Sequence, residues 1–572
     1  MNRPPSARPL PAILLLPLAV LLLSVLLLSP VRLRAQSSRS GPAGENLISG
    51  VVLGGLSGQP IAQATVTLRG TRDYEIIAQA VTGSDGGFQF SHLPDGRFQL
   101  SASHRGYIES AYQEHEGGIS TAIVAGPGIE NTGLQLTLPP DCALYGAITE
   151  DSGDPVPRAH LSLYHAPEGR GATGRLTIAG VAYAGEMGHF DIDHLAPGTY
   201  YLCATGTPWY SQSLPGSVDR RSAGSPSSAL DLAYPVSCYP DGTDPSGAQP
   251  IVLNPGDRLP IDLVMHPVAA VHLFFQIPAP VPGRGFDLPQ LHQEVFGNSD
   301  FVQSGFTFES QGNPQDPGAT ATVEVGGIAP GQYQFDLTSN ASSGQTTRTT
   351  TIDAASGDIH LDASSLAVLP ALSGKVVLPG GIPRGFGLVL VSQNAGQDNS
   401  GNLFAHVDPD GSFHIDSVHP GSYEIDFYNG GGPPLDVTRL AATGASVQGR
   451  VLQIGSARVT LTVDAAPANA SIYGKVQIGG KPAPGVFVLL VPASPGAGRN
   501  AWLPNQSDSD GSFDFPHVPA GNYILVAIQQ GWTLAWSRPE VLDPYLEDGI
   551  PISIPTDSTR ITLKAPLQAQ PK

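Results

Sequence analysis

At 572 residues the chain exceeds what one hydrophobic core supports and divides, at about 100–150 residues per unit, into roughly four to six domains. Gly (68) and Pro (54) are abundant, while 14% of residues are charged and 41% apolar, a turn-rich composition that still folds and excludes disorder throughout. The formal charge of -20, with 29 Lys and Arg, repels phosphate backbones and anionic surfaces and excludes nucleic acid as a partner.

The chain opens on an export signal. Arg3 and Arg8 precede an almost unbroken apolar run from Leu10 to Ser29, with Pro11 and Pro17 as its only helix breakers. Cleavage after Ala35 is expected, making 1–35 a signal peptide and 36–46 a linker. Leu33 is large for the position three before the cut, and the run is long enough to span a bilayer, so an uncleaved anchor is the alternative. Either way the remainder is expected to be secreted, periplasmic or at the cell surface, meeting the membrane only through this segment if it is uncleaved. No Cys lies nearby to carry a lipid.

Beyond residue 46 one pattern returns five times: HLPDGRFQL from His92, HLAPGTYYL from His194, GIAPGQYQF from Gly327, SVHPGSYEI from Ser417 and HVPAGNYIL from His517. An apolar residue leads into a Pro or Gly turn, then an aromatic (Phe98, Tyr200, Tyr333, Tyr423 or Tyr523) opens an alternating strand. Pro presets φ, Gly accepts positive φ and the aromatic can plug one end of a sandwich core, which predicts a corner between two strands. Upstream stand DGGFQF from Asp85, MGHFDI from Met187, DGSFHI from Asp410 and DGSFDF from Asp510, read as hairpin tips with a tight primed turn. Opening strands carry a glycine in ISGVVL, LYGAIT, LSGKVV and IYGKVQ, a Pro-initiated second strand follows, and short alternating strands such as LQLTL and VTLTV close the units. The third copy lacks both the opening Gly and the Asp-Gly.

These signals place sandwich 1 at 47–140, sandwich 2 at 141–267 with a loop insertion around Ser211, a divergent sandwich 3 at 268–367, sandwich 4 at 368–464, sandwich 5 at 465–566 and a tail at 567–572. No segment after the export signal shows a helical period. The expected fold is all-β: tandem seven-stranded immunoglobulin-like or prealbumin-like β-sandwiches in an elongated multi-domain chain. Short Pro-bearing joints such as TLPPDC and DAAPANA make it a semi-rigid curved rod.

Cys142, Cys203 and Cys238 all fall in the second unit, which in an oxidising compartment means one disulfide and one thiol. Three pairings are open. Cys203–Cys238 is the expected one, because Cys203 follows the corner strand and Cys238 lies in the long loop which that strand feeds.

Catalytic signals are weak. None of the cysteines has the C-x-x-C spacing of a zinc site. His165 and Glu168 in HAPE match half of a metallocarboxypeptidase zinc motif, but Pro167 separates them and no third ligand is in view. Neither a nucleophile elbow nor an H-E-x-x-H helix is present. The Asp508, Asp510 and Asp514 group lacks the ligand spacing of an EF-hand and reads as a turn. His92, His194 and His517 recur as packing or hydrogen-bonding residues. The chain is expected to be no enzyme, with no cofactor and no metal. Lysine occurs only at 375, 475, 481, 564 and 572, so an isopeptide cross-link of the kind found in surface sandwiches is open only to Lys375 and Lys475 among the strand positions.

The run G-x-V, P-[IV]-x-x-[AG]-x-[VL], DG-x-F and [LV]-x-[PA]-G-x-[YF] resembles the carboxypeptidase regulatory-like domain, also described as prealbumin-like or starch-binding-domain-like. Units one, two, four and five carry it well, and unit three only at GIAPGQYQF. The resemblance implies a non-catalytic sandwich, hence an exported or cell-surface scaffold or binding protein, with carbohydrate binding as the alternative. A polysaccharide or another surface protein is the partner expected. Flat apolar faces with a polar N–H edge suit stacking on sugars, and the candidates are Trp502, Trp532 and Trp536 in sandwich 5 with Trp209 and Tyr210 in sandwich 2. The competing reading has the sandwich 5 tryptophans capping the core or covering a joint.

Overall fold

The computed structural model describes residues 44–572 apart from residues 73, 116–117, 167–175, 212–228, 280–286, 303–304, 312–318, 342–343, 356, 394–401, 430–433, 494–501, 537 and 556–559. The export segment, most of the linker, and most of the inserted loop after Ser211 lie outside the described residues.

In sandwich 1 the opening strand Asn46–Gly54 pairs antiparallel with Gly87–Leu93 and parallel with Asn131–Leu138. Facing this sheet, Thr65–Gly70 lies between Ile76–Val81 and Gly96–Ser103. The far edge of Gly96–Ser103 carries Ser110–Ala111 and Ile123–Ala125 end to end, giving seven strand positions. Alternation sends Phe88, Phe90, Phe98 and Leu100 inward, and burying such a side chain stabilises by about 1.5–3 kcal/mol. Sandwiches 2 to 5 repeat the plan. Each opening strand runs parallel to a closing strand and antiparallel to the strand before the corner.

The Asp-Gly tips differ from the expected primed hairpins. In sandwich 4 the Asp408 carbonyl accepts from Gly411 N–H at 2.8 Å, Asp408 N–H donates to Ser412, and only Gly411 has positive φ, at 89°. That is a type I turn followed by a left-handed glycine. Its flanks, Leu403–His406 and Ser412–Ile415, belong to opposite sheets. The turn hands the chain across the core. Asp85, Asp410 and Asp510 each accept from the backbone N–H two residues on, at 3.0, 2.9 and 2.9 Å, which stiffens the crossing.

Opening glycine and tip phenylalanine are partners: Gly50 faces Phe88, Gly146 Phe190, Gly374 Phe413 and Gly474 Phe513. In sandwich 5 a Cβ on Gly474 would lie 2.5 Å from the Phe513 ring. Sandwich 3 reverses the volumes, with Phe275 on the opening strand facing Val323. Its missing glycine is therefore compensated across the strand pair.

The recurrent histidine has a backbone cause. Ile48 faces Phe90 while Asn46 faces Leu93, so one strand carries an extra residue, and His92 absorbs it at φ 59°. His194 at 56° and His517 at 58° occupy the same bulge, and in sandwich 3 Gly327 takes it at 73°. Histidine tolerates this region better than most residues, and all three rings point outward. At the corner, the Tyr200, Tyr333, Tyr423 and Tyr523 hydroxyls donate to the carbonyl four residues back, at 2.7, 2.7, 2.9 and 3.0 Å. Phe98 has no hydroxyl to do so.

Two expectations are corrected in sandwich 5. A helix, Pro539–Glu547, packs Leu542 against Phe487 and Trp532. Pro544 inside it and its short length hide the period. Residues 567–570, read as tail, add to the sandwich: buried Leu567 pairs with Val476, and Gln570 bridges to Ile528.

Ionic and polar contacts fix successive units. Asp141 donates its N–H to Gly106 of sandwich 1, while its buried carboxylate meets His194 at 2.9 Å and Arg258 at 3.1 Å. Between sandwiches 2 and 3, His272 is 1% exposed, with Nε2 at 2.9 Å from Asp231 and Nδ1 at 2.8 Å from Glu324. Asp336 of sandwich 3 meets His419 of sandwich 4 at 2.9 Å. Burial pushes the Asp336 carboxyl up, but hydrogen bonds from His419 and Thr349 outweigh it and hold the group below its ordinary range. Pro434 accepts from Ala468 N–H at the last joint. Sandwich 1 also meets sandwich 5 directly, through contacts such as Ser509 N–H with the Ala122 carbonyl.

Candidate binding surfaces

Among the described residues no three His, Cys, Asp or Glu side chains are gathered as a metal site. His165 packs on Tyr200 with ring centres 4.9 Å apart, and Glu168 lies outside the described residues. Lys475 forms an exposed ion pair, its Nζ 3.5 Å from Asp510.

Cys203 and Cys238 are register partners on adjacent strands and form a disulfide, with Cα atoms 4.0 Å apart. Cys142 is a buried thiol that donates to the Asn254 carbonyl. The bond anchors the return of the inserted loop beside Tyr164 and Val295.

The aromatics separate into two environments. Trp532 is 7% exposed, edge-on to Phe487 at 4.6 Å and stacked on His115 of sandwich 1 at 5.0 Å. Trp502 and Trp536 are half-buried around the same cluster, with Ile119 of sandwich 1 and Leu542 of the helix. Trp532 thus covers a contact between sandwiches, with one face against His115 and Phe487 packed beside it.

Trp209 is 68% exposed and Tyr183 66%. Together with Pro157, Arg158, Glu186, Thr207 and Pro208 they line an open groove of about 670 Å³ on sandwich 2. Arg158 Nε and a terminal guanidinium nitrogen both reach Glu186 Oε1, at 3.2 and 3.1 Å, so the groove holds a neutralised pair with spare hydrogen-bonding capacity. Tyr210 stands edge-on to Trp209, ring centres 5.5 Å apart, and serves as its anchor. The Tyr210 and Tyr234 hydroxyls donate to Glu150 Oε2 at 2.7 and 2.8 Å, and Ser152 donates to Oε1 at 2.7 Å. Burial pushes Glu150 up, but these donors outweigh it and hold the carboxyl below its usual range, while burial and Glu150 push Tyr210 up to about 12. Tyr210 is thereby tied down while Trp209 projects. Arg158 and Glu186, each on a turn, and Tyr183, at the end of strand Thr177–Tyr183, carry no sequence signal, since nothing in the sequence marks a turn residue as the neighbour of another so far along the chain.

The profile of the family described as the carboxypeptidase regulatory-like domain matches residues 47–125. No curated protein matches the chain. Among solved structures, the TIE protein of Bacillus anthracis is 12% identical over 56% of this chain and 51% of its own, with a TM-score of 0.16; the chain thus spans about half of that protein. The shaft pilin of Lactobacillus rhamnosus GG is 11% identical over 39% of this chain and 98% of its own, TM-score 0.19. The minor pilin of Streptococcus agalactiae is 12% identical over 41% and 100%, TM-score 0.18. Among the described residues no helix is long and apolar enough to cross a membrane. With the opening glycine, the Asp-Gly tip, the corner aromatic and the parallel closing strand all within or beside the matched segment, the chain carries a carboxypeptidase regulatory-like domain at its first sandwich.

Proposed function

We propose that this chain is an exported or cell-surface scaffold that performs no catalysis and holds a set of β-sandwiches at fixed angles. The observation that supports this reading is the carboxylate–histidine pairing across two of the joints, His419 with Asp336 between sandwiches 3 and 4 and above all His272 between Asp231 and Glu324 at the joint of sandwiches 2 and 3. Such pairs resist loss of a partner strongly, since that leaves a buried charge uncompensated. The test is export. A host expressing the full chain is fractionated and treated with external protease, beside a chain lacking residues 1–35. Recovery outside the cytoplasm that depends on residues 1–35 is expected; retention of the full chain inside would overturn the proposal.

A second reading, binding of a neutral polysaccharide, is favoured by the groove of Trp209 and Tyr183. Its exposed rings suit the apolar face of a pyranose, and the Arg158–Glu186 pair suits hydroxyls without attracting net charge. Soluble α-glucans and other polysaccharides are titrated while tryptophan emission is followed. Trp209→Ala, at a well-exposed position, should leave the thermal midpoint unchanged and abolish binding. Absence of binding by the parent chain, or equal binding by the variant, removes this reading.

A further inference from the structure

Among the described residues sandwich 5 differs from its relatives by the α-helix Pro539–Glu547, and this helix and the 3-10 turn Gly531–Thr533 surround a face that sandwich 1 fills. At its centre the Asp-Gly tip of sandwich 5 reaches the outer edge of strand Ile123–Ala125, whose inner edge pairs with Gly96–Phe98. Ser509 N–H donates to the Ala122 carbonyl at 2.9 Å, and the Val124 N–H donates to the Ser509 hydroxyl at 2.9 Å. On one side Gln506 Nε2 donates to the Gln113 carbonyl at 3.0 Å and to the Thr121 hydroxyl at 2.6 Å. On the other, the Arg97 guanidinium meets Asp508 at 2.6 Å and Asp514 at 3.2 Å. Trp532 on His115 completes an apolar flank. Gly485 permits the close approach, since a Cβ there would lie 2.7 Å from Gln113 Oε1.

We propose that this face is a docking site for sandwich 1 of the same chain, a clasp that closes the five sandwiches into a circuit of contacts. Three features support a dedicated surface. It combines hydrogen bonding at a strand edge, a charge pair and an aromatic stack, each supplied by a different segment of sandwich 1. Asp508 is 2% exposed, and a buried carboxylate requires a cation or donors, which Arg97 supplies from more than 400 positions away in sequence. The half-buried Trp502 and Trp536 and the helix surround the contact, which accounts for the concentration of tryptophan in this sandwich.

The equivalent tip of sandwich 4 supplies a test that preserves folding. There the turn reads Asp408-Pro409-Asp410-Gly411, whereas sandwich 5 has Asp508-Ser509-Asp510-Gly511. Proline suits the second position of a type I turn, so Ser509→Pro keeps the tip and removes both the N–H and the hydroxyl that reach sandwich 1. The chain 36–572, Ser509→Pro and Arg97→Glu are compared by small-angle scattering, sedimentation and tryptophan emission at several concentrations, with circular dichroism as a control of folding. The parent chain should be a compact monomer. Both variants should keep the β-sheet spectrum yet show a larger radius of gyration, slower sedimentation and red-shifted emission as Trp532 loses His115. An unchanged radius in folded Ser509→Pro, or an open parent monomer, overturns the proposal. A parent that is open as a monomer and pairs only as concentration rises would mean that a second copy occupies the face, and overturns the intramolecular clasp equally.

Discussion

Arg97 of the first sandwich holds the carboxylate of Asp508 in the fifth at 2.6 Å, across the contact that joins the two ends of the described chain. Burial pushes Asp508 up to about 6; Arg97 and the Ser512 hydroxyl pull it down and Asp510 adds to the rise. A folded value above the ordinary 3.8 means that Asp508 contributes stability that is fully present below 3.8 and lost as pH rises through 6. At neutral pH the carboxylate is charged where burial disfavours charge, and Arg97 offsets part of that cost. Carboxyl-detected NMR titration should place Asp508 near 6 in the parent chain. A parent value at or below 3.8 contradicts the burial.

Gly474 and Phe513 are packed so closely that Gly474→Ala should destabilise sandwich 5 by about 1–3 kcal/mol through overpacking. Gly146→Ala should cost more. Its Cβ would meet the Ile261 carbonyl at 1.9 Å, and backbone yields less than a ring. Urea unfolding of the two variants provides the comparison, and equal midpoints to the parent would show that the opening glycine is dispensable.

His272 touches Asp231 and Glu324 with its two ring nitrogens. Replacing it by alanine takes the imidazole from two carboxylates, one of them buried, and is expected to destabilise the joint between sandwiches 2 and 3 by about 3–5 kcal/mol. Limited proteolysis should then cut between residues 229 and 270 faster than in the parent. An unchanged cleavage rate argues against a locked joint.

The disulfide Cys203–Cys238 closes a sequence separation of 35 residues, for which loop entropy predicts about 3–4 kcal/mol of stabilisation. The double variant Cys203→Ala and Cys238→Ala should lower the unfolding free energy by this order. Cys142, buried, should resist thiol reagents until the domain unfolds. Peptide mapping that pairs Cys142 with either partner would refute the assignment.

Much of the architecture is written locally. Period-two alternation marked the strands, turn chemistry marked Asp410-Gly411, and the recurrence of an opening glycine and a later tip phenylalanine marked the sandwich in four copies, because strand faces and turns depend on residues a few positions apart. The tertiary structure decided what depends on distance. The Asp-Gly tips cross between sheets, since an Asp-Gly dipeptide specifies a reversal and not which sheet receives the chain. Sandwich 3 exchanges Gly for Phe275 and Phe for Val323, a compensation visible only once the two strands are in register. Trp209 and Trp532 look alike in sequence, yet one projects beside Tyr183 and the other lies under His115, because exposure is set by neighbours from other segments. Arg97 and Asp508 read as ordinary surface charges, and only the folding of the intervening sandwiches brings them together: an ion pair between distant segments leaves no periodic trace in either one.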